Sequence, residues 1–209
     1  MVFLPYMPKW ISACFPKLTF KGAGKDCIYL TFDDGPMLGV TDKVLDILAK
    51  ADMKATFFCV GEQIEMHPEL FQRIKDEGHA VGNHSMKHED GWQTTTKAYF
   101  ESIKACQALV QSKLFRPPYG RLKPWHISRL RKQFHIIMWN CLSGDYNPKR
   151  SVETCVQQTV KHCKPGSIIV LHDSHKAAEN MFPTLEALIA KAKKEGWKGE
   201  SLSYLEAQE

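Results

Sequence analysis

The sequence predicts an α/β chain of about seven parallel strands folded as one unit, and two patterns carry that prediction. Short β-rich runs alternate with segments of helical periodicity, and polar, chemistry-bearing residues recur where the β-rich runs end. Length sets the frame: 209 residues with 44% hydrophobic content bury one sizeable core, and no Gly/Ser- or Pro-rich linker divides residues 21–209. Such alternation gives right-handed crossovers within a parallel sheet, either open and doubly wound or closed into a barrel.

The strands are read at 27–32 (CIYLTF), 55–60 (ATFFCV), 79–84 (HAVGNH), 113–118 (KLFRPP), 135–140 (HIIMWN), 167–173 (SIIVLHD) and 201–205 (SLSYL). Helices fall between them at 41–51, 62–78, 95–112, 123–133, 151–163 and 184–196, each with apolar residues three and four apart. Residues 1–20 read differently. Pro5, Pro8 and Lys9 interrupt an apolar stretch that no basic residue precedes, so an amphipathic extension packed on the domain is expected there rather than an export signal.

The net charge of +5 is spread along helical stretches such as KAKKEGWKG, which reads as a solvated face and argues against a nucleic-acid partner. No apolar run reaches the roughly 18 residues of a membrane span. The seven cysteines are odd in number and form no CxxC pair, which points to reduced core residues and favours a cytoplasmic compartment over the alternative of the cell envelope; a monomer is expected.

Chemistry concentrates at five strand ends. The first strand stops in TFDDGP, where Asp33 and Asp34 adjoin; alone, that stretch is an ordinary solvated turn or helix cap. The third is followed by GNHSMKHED, with His84 and His88 four apart, so one turn can aim both imidazoles at a common point. A carboxylate from a neighbouring strand end would complete three ligands and leave a fourth position for water, the pattern of a catalytic zinc site. FRPPYG ends the fourth strand with Arg116 and Tyr119, WNCLSGDYNP carries Asp145 after the fifth, and VLHD exposes His172 after the sixth.

In this order the motifs TFDDGP, HSMKH, RPPYG, GDY and LHD resemble those of the polysaccharide deacetylases, carbohydrate esterase family four, from about Lys25 to Leu205. The resemblance implies a distorted (β/α) barrel and metal-dependent removal of acetyl groups, usually from N-acetylated sugars. It implies that Asp34, His84 and His88 hold the metal and that Asp33 is the general base, a distinction the two adjacent aspartates do not themselves reveal. Arg116 then holds the base ionised and oriented, Tyr119 offers a backbone N–H to the developing oxyanion, and His172, paired with Asp145, is the general acid. The metal is expected to be zinc, with cobalt, nickel or iron accepted by the same ligands.

Leu171 corresponds to an apolar pocket for the acetyl methyl, and Trp139 is a further substrate-pocket candidate. Where many members have D-S-x-D-W, this chain has Leu142-Ser143-Gly144-Asp145-Tyr146, so Leu142 and Tyr146 alter the sugar groove more than the catalytic set. An ester hydrolase on the same scaffold, a non-sugar amidase and a non-catalytic sugar-binding domain are the alternatives. His67, His79, His126, His135 and His162 read as packing or surface residues, His175 stands outside the set, and Trp92 and Trp125 are either core or sugar-stacking residues.

Overall fold

β1 (Cys27–Asp33) is buried along its whole length, as a strand covered on both faces must be. The computed structural model describes residues 5–207 and arranges seven parallel strands around β1 in a curled half-barrel, a distorted (β/α) barrel. To one side lie β2 (Ala55–Cys59), β3 (Ala80–Asn83), β4 (Leu114–Phe115) and β5 (His135–Ile136); to the other lie β7 (Ile168–His172) and β6 (Cys141–Leu142). A two-residue β8 (Lys198–Gly199) pairs the start of β1. Helices α2 (Thr41–Ala51), α3 (Gly61–Met66), α4 (Pro68–Asp76), α5 (Thr96–Val110), α6 (Pro124–Leu130), α7 (Val152–His162) and α8 (Ala178–Glu195) supply the crossovers, after a short α1 (Lys9–Ala13). Among the described residues no helix is long and apolar enough to cross a membrane.

Strand alternation divides the core in two. Ile28, Leu30 and Phe32 of β1, with Phe57, Ile169 and Leu171, face α2 and α8 and pack on Val44, Leu48, Leu185 and Leu188. Tyr29 of β1 packs on the other side with Phe58, Leu114, Ile137 and Ile168 in the hollow of the curl, and Thr31 and Asp33 follow it by the same alternation. The concave face therefore ends, at the C-terminal rim, in polar residues.

The two sheet edges, β5 and β6, are covered by the chain's own beginning. Thr19 pairs Ile137 and Tyr6 pairs Cys141, with backbone bonds from Thr19 to Ile136 and Met138, and from Pro5 and Met7 to Leu142 and Asn140. Pairing the open edges in this way satisfies N–H and C=O groups that would otherwise template association. Residues 1–4 of the expected extension lie outside the described residues.

Three expectations change. SLSYL is a 3₁₀ turn over Leu202–Leu205, whose buried leucines stand three apart, the spacing that eclipses on such a turn; β6 and β8, each two residues long, are the unexpected strands. The helix expected at 62–78 breaks at His67, ahead of Pro68, whose ring disfavours helical backbone in the residue before it. α8 begins at Ala178, six residues early, and contains Pro183.

Gly82 of β3 stands where the hollow leaves no room for a side chain. A Cβ there would sit 2.6 Å from the Phe58 ring and 3.2 Å from Leu114 Cβ, and neither neighbour is free to retreat. Gly82→Ala is expected to destabilise the fold by about 1–3 kcal/mol through overpacking, read as a lower denaturant midpoint at unchanged m-value.

Candidate active site

Asp33 is the last residue of β1, and its side chain points into the hollow. There Arg116 Nη1 donates to Asp33 Oδ1 at 2.7 Å and to Thr31 Oγ1 at 2.6 Å, while Nε and Nη2 donate to the carbonyls of Ile137 and Met138. The guanidinium also lies over the Phe58 ring, 4.2 Å from its centroid, and is fully buried. Burial pulls the guanidinium pKa down and the Asp33 charge opposes this, so the two charges hold one another.

Asp34 leaves the strand with φ of 84°, a left-handed conformation that swings its carboxylate away from its neighbour's. It meets His84 and His88: its Oδ1 lies 3.3 Å from His88 Nε2 and 3.9 Å from His84 Nε2, and one ligand atom from each of the three lies within 4.8 Å of the others. His84 Nδ1–H donates to the Arg116 carbonyl at 2.8 Å, which leaves the unprotonated Nε2 facing Asp34. Burial, reinforced by the neighbouring His88, holds the His84 pKa well below its ordinary value and so keeps the ring neutral. Asp34 Oδ1 is buried without a hydrogen-bond partner. A lone carboxylate oxygen facing two imidazole nitrogens is satisfied by a cation, and the donor set fits a divalent one.

The loop after β3 is fixed from behind by groups the sequence did not single out. Glu89 Oε2 accepts from the hydroxyls of Ser85 and Ser102, and Ser102 Oγ accepts from the Met86 N–H. This lets Ser85 and His88 keep left-handed φ values of 63° and 57°.

On β7, His172 is the register partner of Asp33, so the two stand side by side on adjacent strands. Asp145 is fully buried and chelates the histidine, its Oδ1 accepting from Nδ1–H and its Oδ2 from the backbone N–H, both at 2.8 Å. Burial alone lowers the imidazole pKa, but the Asp145 charge and hydrogen bond, with help from Asp34 and Asp33, raise it to about 9. The Tyr146 ring closes one side of His172 at a centroid distance of 5.0 Å.

Asp173, next in the chain, was missed although LHD displays it. Its Oδ1 accepts from the Gly35 N–H at 3.1 Å and its Oδ2 from the Thr41 hydroxyl at 2.5 Å, which braces the turn carrying Asp33 and Asp34. Burial raises its pKa to about 8 against the Thr41 hydrogen bond. A Cβ on Gly35 would strike this carboxylate, so DDGP needs its glycine.

Tyr119 adopts φ of 59°, leaves 57% of its surface exposed and sets its ring edge-on to His88 at 4.6 Å. Trp139 is half-buried, 2.5 Å from where a Cβ on Gly120 would stand. Leu142 is half-buried with its N–H bonded to Pro5. Leu171 is fully buried in the cluster facing the helices, because alternation along β7 turns it away from His172 and gives that face to Val170. His175 is exposed near Gly39, outside the cluster.

The polysaccharide deacetylase family profile matches residues 21–133. A peptidoglycan-N-acetylglucosamine deacetylase of Bacillus cereus is 33% identical over 154 residues, 70% of this chain and 56% of that protein. A chitooligosaccharide deacetylase of Rhizobium leguminosarum bv. trifolii is 33% identical over 172 residues, 77% of this chain and 79% of the other. Among solved structures, the Bc1960 peptidoglycan N-acetylglucosamine deacetylase in complex with 4-naphthalen-1-yl-N-oxidanyl-benzamide superposes with a TM-score of 0.87, at 28% identity, over 98% of this chain and 99% of that one. The chain spans little more than half the length of the Bacillus cereus relative. With this match, and with the strand-end motifs gathered on one rim, the chain belongs to the polysaccharide deacetylase family.

Proposed function

We propose that the protein hydrolyses the acetamide of N-acetylated sugars, with N-acetylglucosamine oligomers and peptidoglycan fragments as the substrate class. The observation that carries this reading is the separation of two adjacent carboxylates: Asp33 is locked to Arg116, while Asp34 faces two imidazoles. Across from Asp33 stands a histidine held by its own buried aspartate. The named relatives act on sugars of this kind, which supports the assignment.

Asp34, His84 and His88 would hold one divalent cation, zinc in the first instance, which when bound supplies a Lewis acid and an acidified water. Asp33, oriented by Arg116, takes a proton from the attacking water. Tyr119 offers its backbone N–H to the carbonyl oxygen as charge develops there, help worth about 10²–10³ in rate for a single donor. His172 enters the reaction as imidazolium and gives its proton to the departing amine, so the C–N bond breaks to acetate and a free amino sugar. Tyr146 and Trp139 border the sugar on either side of this line.

Zinc-loaded protein is expected to release acetate from N-acetylglucosamine tetramer, and His84→Ala to lose both zinc affinity and acetate release. Silence on all N-acetylated oligomers and peptidoglycan fragments from protein that retains zinc would overturn the substrate class. The pH dependence follows from His172. The acid form is present below about 9 and is lost as pH rises through that value, so kcat/KM should fall on the alkaline side there. Asp145→Asn removes the charge that holds the pKa up. Its alkaline limb should move down by about one to three pH units, and the rate at pH 8 should drop by about 2- to 100-fold as the acid form is lost. An unmoved limb would assign the proton to another group.

A further inference from the structure

Trp92 is a large aromatic that neither the core nor the reaction accounts for. It leaves 54% of its surface exposed, yet it is held firmly: its indole N–H donates to the Leu122 carbonyl at 3.2 Å and its backbone N–H to Asp90 Oδ1 at 2.9 Å. Asp90 Oδ2 in turn pairs with Arg121, whose guanidinium lies 5.1 Å from the Trp92 ring centroid and 5.4 Å from that of Tyr119. Tyr119 is itself 4.6 Å from His88. A continuous ledge thus runs outward from a candidate metal ligand: His88, Tyr119, Arg121, Trp92. Gly91 lets the two loops close on each other, since a Cβ there would strike the Arg121 carbonyl oxygen.

An exposed tryptophan in a docking patch for another protein is normally one member of a contiguous apolar surface of several hundred Å². Trp92 instead is edged by the Asp90–Arg121 ion pair, one flat ring beside charged groups. That pairing of an apolar face with a polar rim suits a pyranose, which stacks its C–H face on the ring and turns its hydroxyls to the rim. Because the side chain is already pinned, little rotamer freedom is lost on binding.

We propose that Trp92 forms a distal subsite that stacks on a sugar unit of the same glycan chain, beyond the unit deacetylated beside His88. The identity of the glycan rests on the deacetylase reading; the placement of the subsite rests on the ledge. Its consequence is a preference for longer oligomers that is read in KM rather than in kcat.

The test compares wild type, Trp92→Phe and Trp92→Ala on N-acetylglucosamine dimer and pentamer. Two readouts are used: acetate release by zinc-loaded protein, and isothermal titration of the metal-free protein with the same oligomers. Trp92→Ala should raise KM for the pentamer about tenfold at unchanged kcat and leave the dimer's constants alone, while Trp92→Phe, keeping a flat ring, should retain most of the pentamer's advantage. Trp92-dependent pentamer binding without any acetate release would sink the deacetylase reading and keep the subsite. Acetate release with an equal pentamer advantage in wild type and Trp92→Ala would sink the subsite and keep the deacetylase. Equal wild-type affinity for dimer and pentamer, or self-association abolished by Trp92→Ala in sedimentation, would also overturn the subsite.

Discussion

The buried ion pair between Arg116 and Asp33 is the interaction on which the rest of the site depends. Two charges in the hollow of a sheet are costly, and the pair is sustained only because Arg116 also bonds Thr31, Ile137 and Met138 and stacks on Phe58. Removing one partner of such a pair typically costs about 3–5 kcal/mol, since the other is left buried and uncompensated. The same residue's carbonyl orients His84. One arginine thus fixes the aim of the candidate base through its side chain, and the tautomer of a candidate metal ligand through its backbone.

Around this pillar, backbone conformation separates roles that sequence leaves adjacent. Asp33 keeps the alternation of β1 and faces inward; Asp34 turns left-handed and faces the histidines. Ser85, His88 and Tyr119 adopt the same uncommon region, each where a loop must deliver a group to the rim. Such conformations persist only where neighbours over-determine them, and Asp173, Glu89 and Asn83 do so here: Asp173 holds the Gly35 N–H, Glu89 the Ser85 hydroxyl and Asn83 Oδ1 the Ser85 N–H.

Much of this was legible in the sequence, for identifiable reasons. Long apolar runs such as CIYLTF are strands in any context that buries both faces, and the motifs at their ends named Asp33, Asp34, His84, His88, Arg116, Asp145 and His172, which the fold gathers on one rim. β6 and β8 lack a β-rich run of their own, unlike the equally short β4 and β5, so they were missed, and SLSYL was mistaken for the last strand. Asp173 and Glu89 went unnoticed for a different reason: both act through hydrogen bonds to residues far along the chain, a relation no local pattern encodes.

The central claim is that neighbouring aspartates do separate work, and zinc titration of Asp33→Asn beside Asp34→Asn tests it most directly. Asparagine preserves shape in both cases, so the two variants differ in which charge is lost. The account predicts that Asp33→Asn binds zinc within a few-fold of wild type yet releases no acetate, whereas Asp34→Asn loses zinc affinity by orders of magnitude, as removal of a charged ligand should. Equal losses of zinc affinity in the two variants, or a weaker loss in Asp34→Asn, would contradict it.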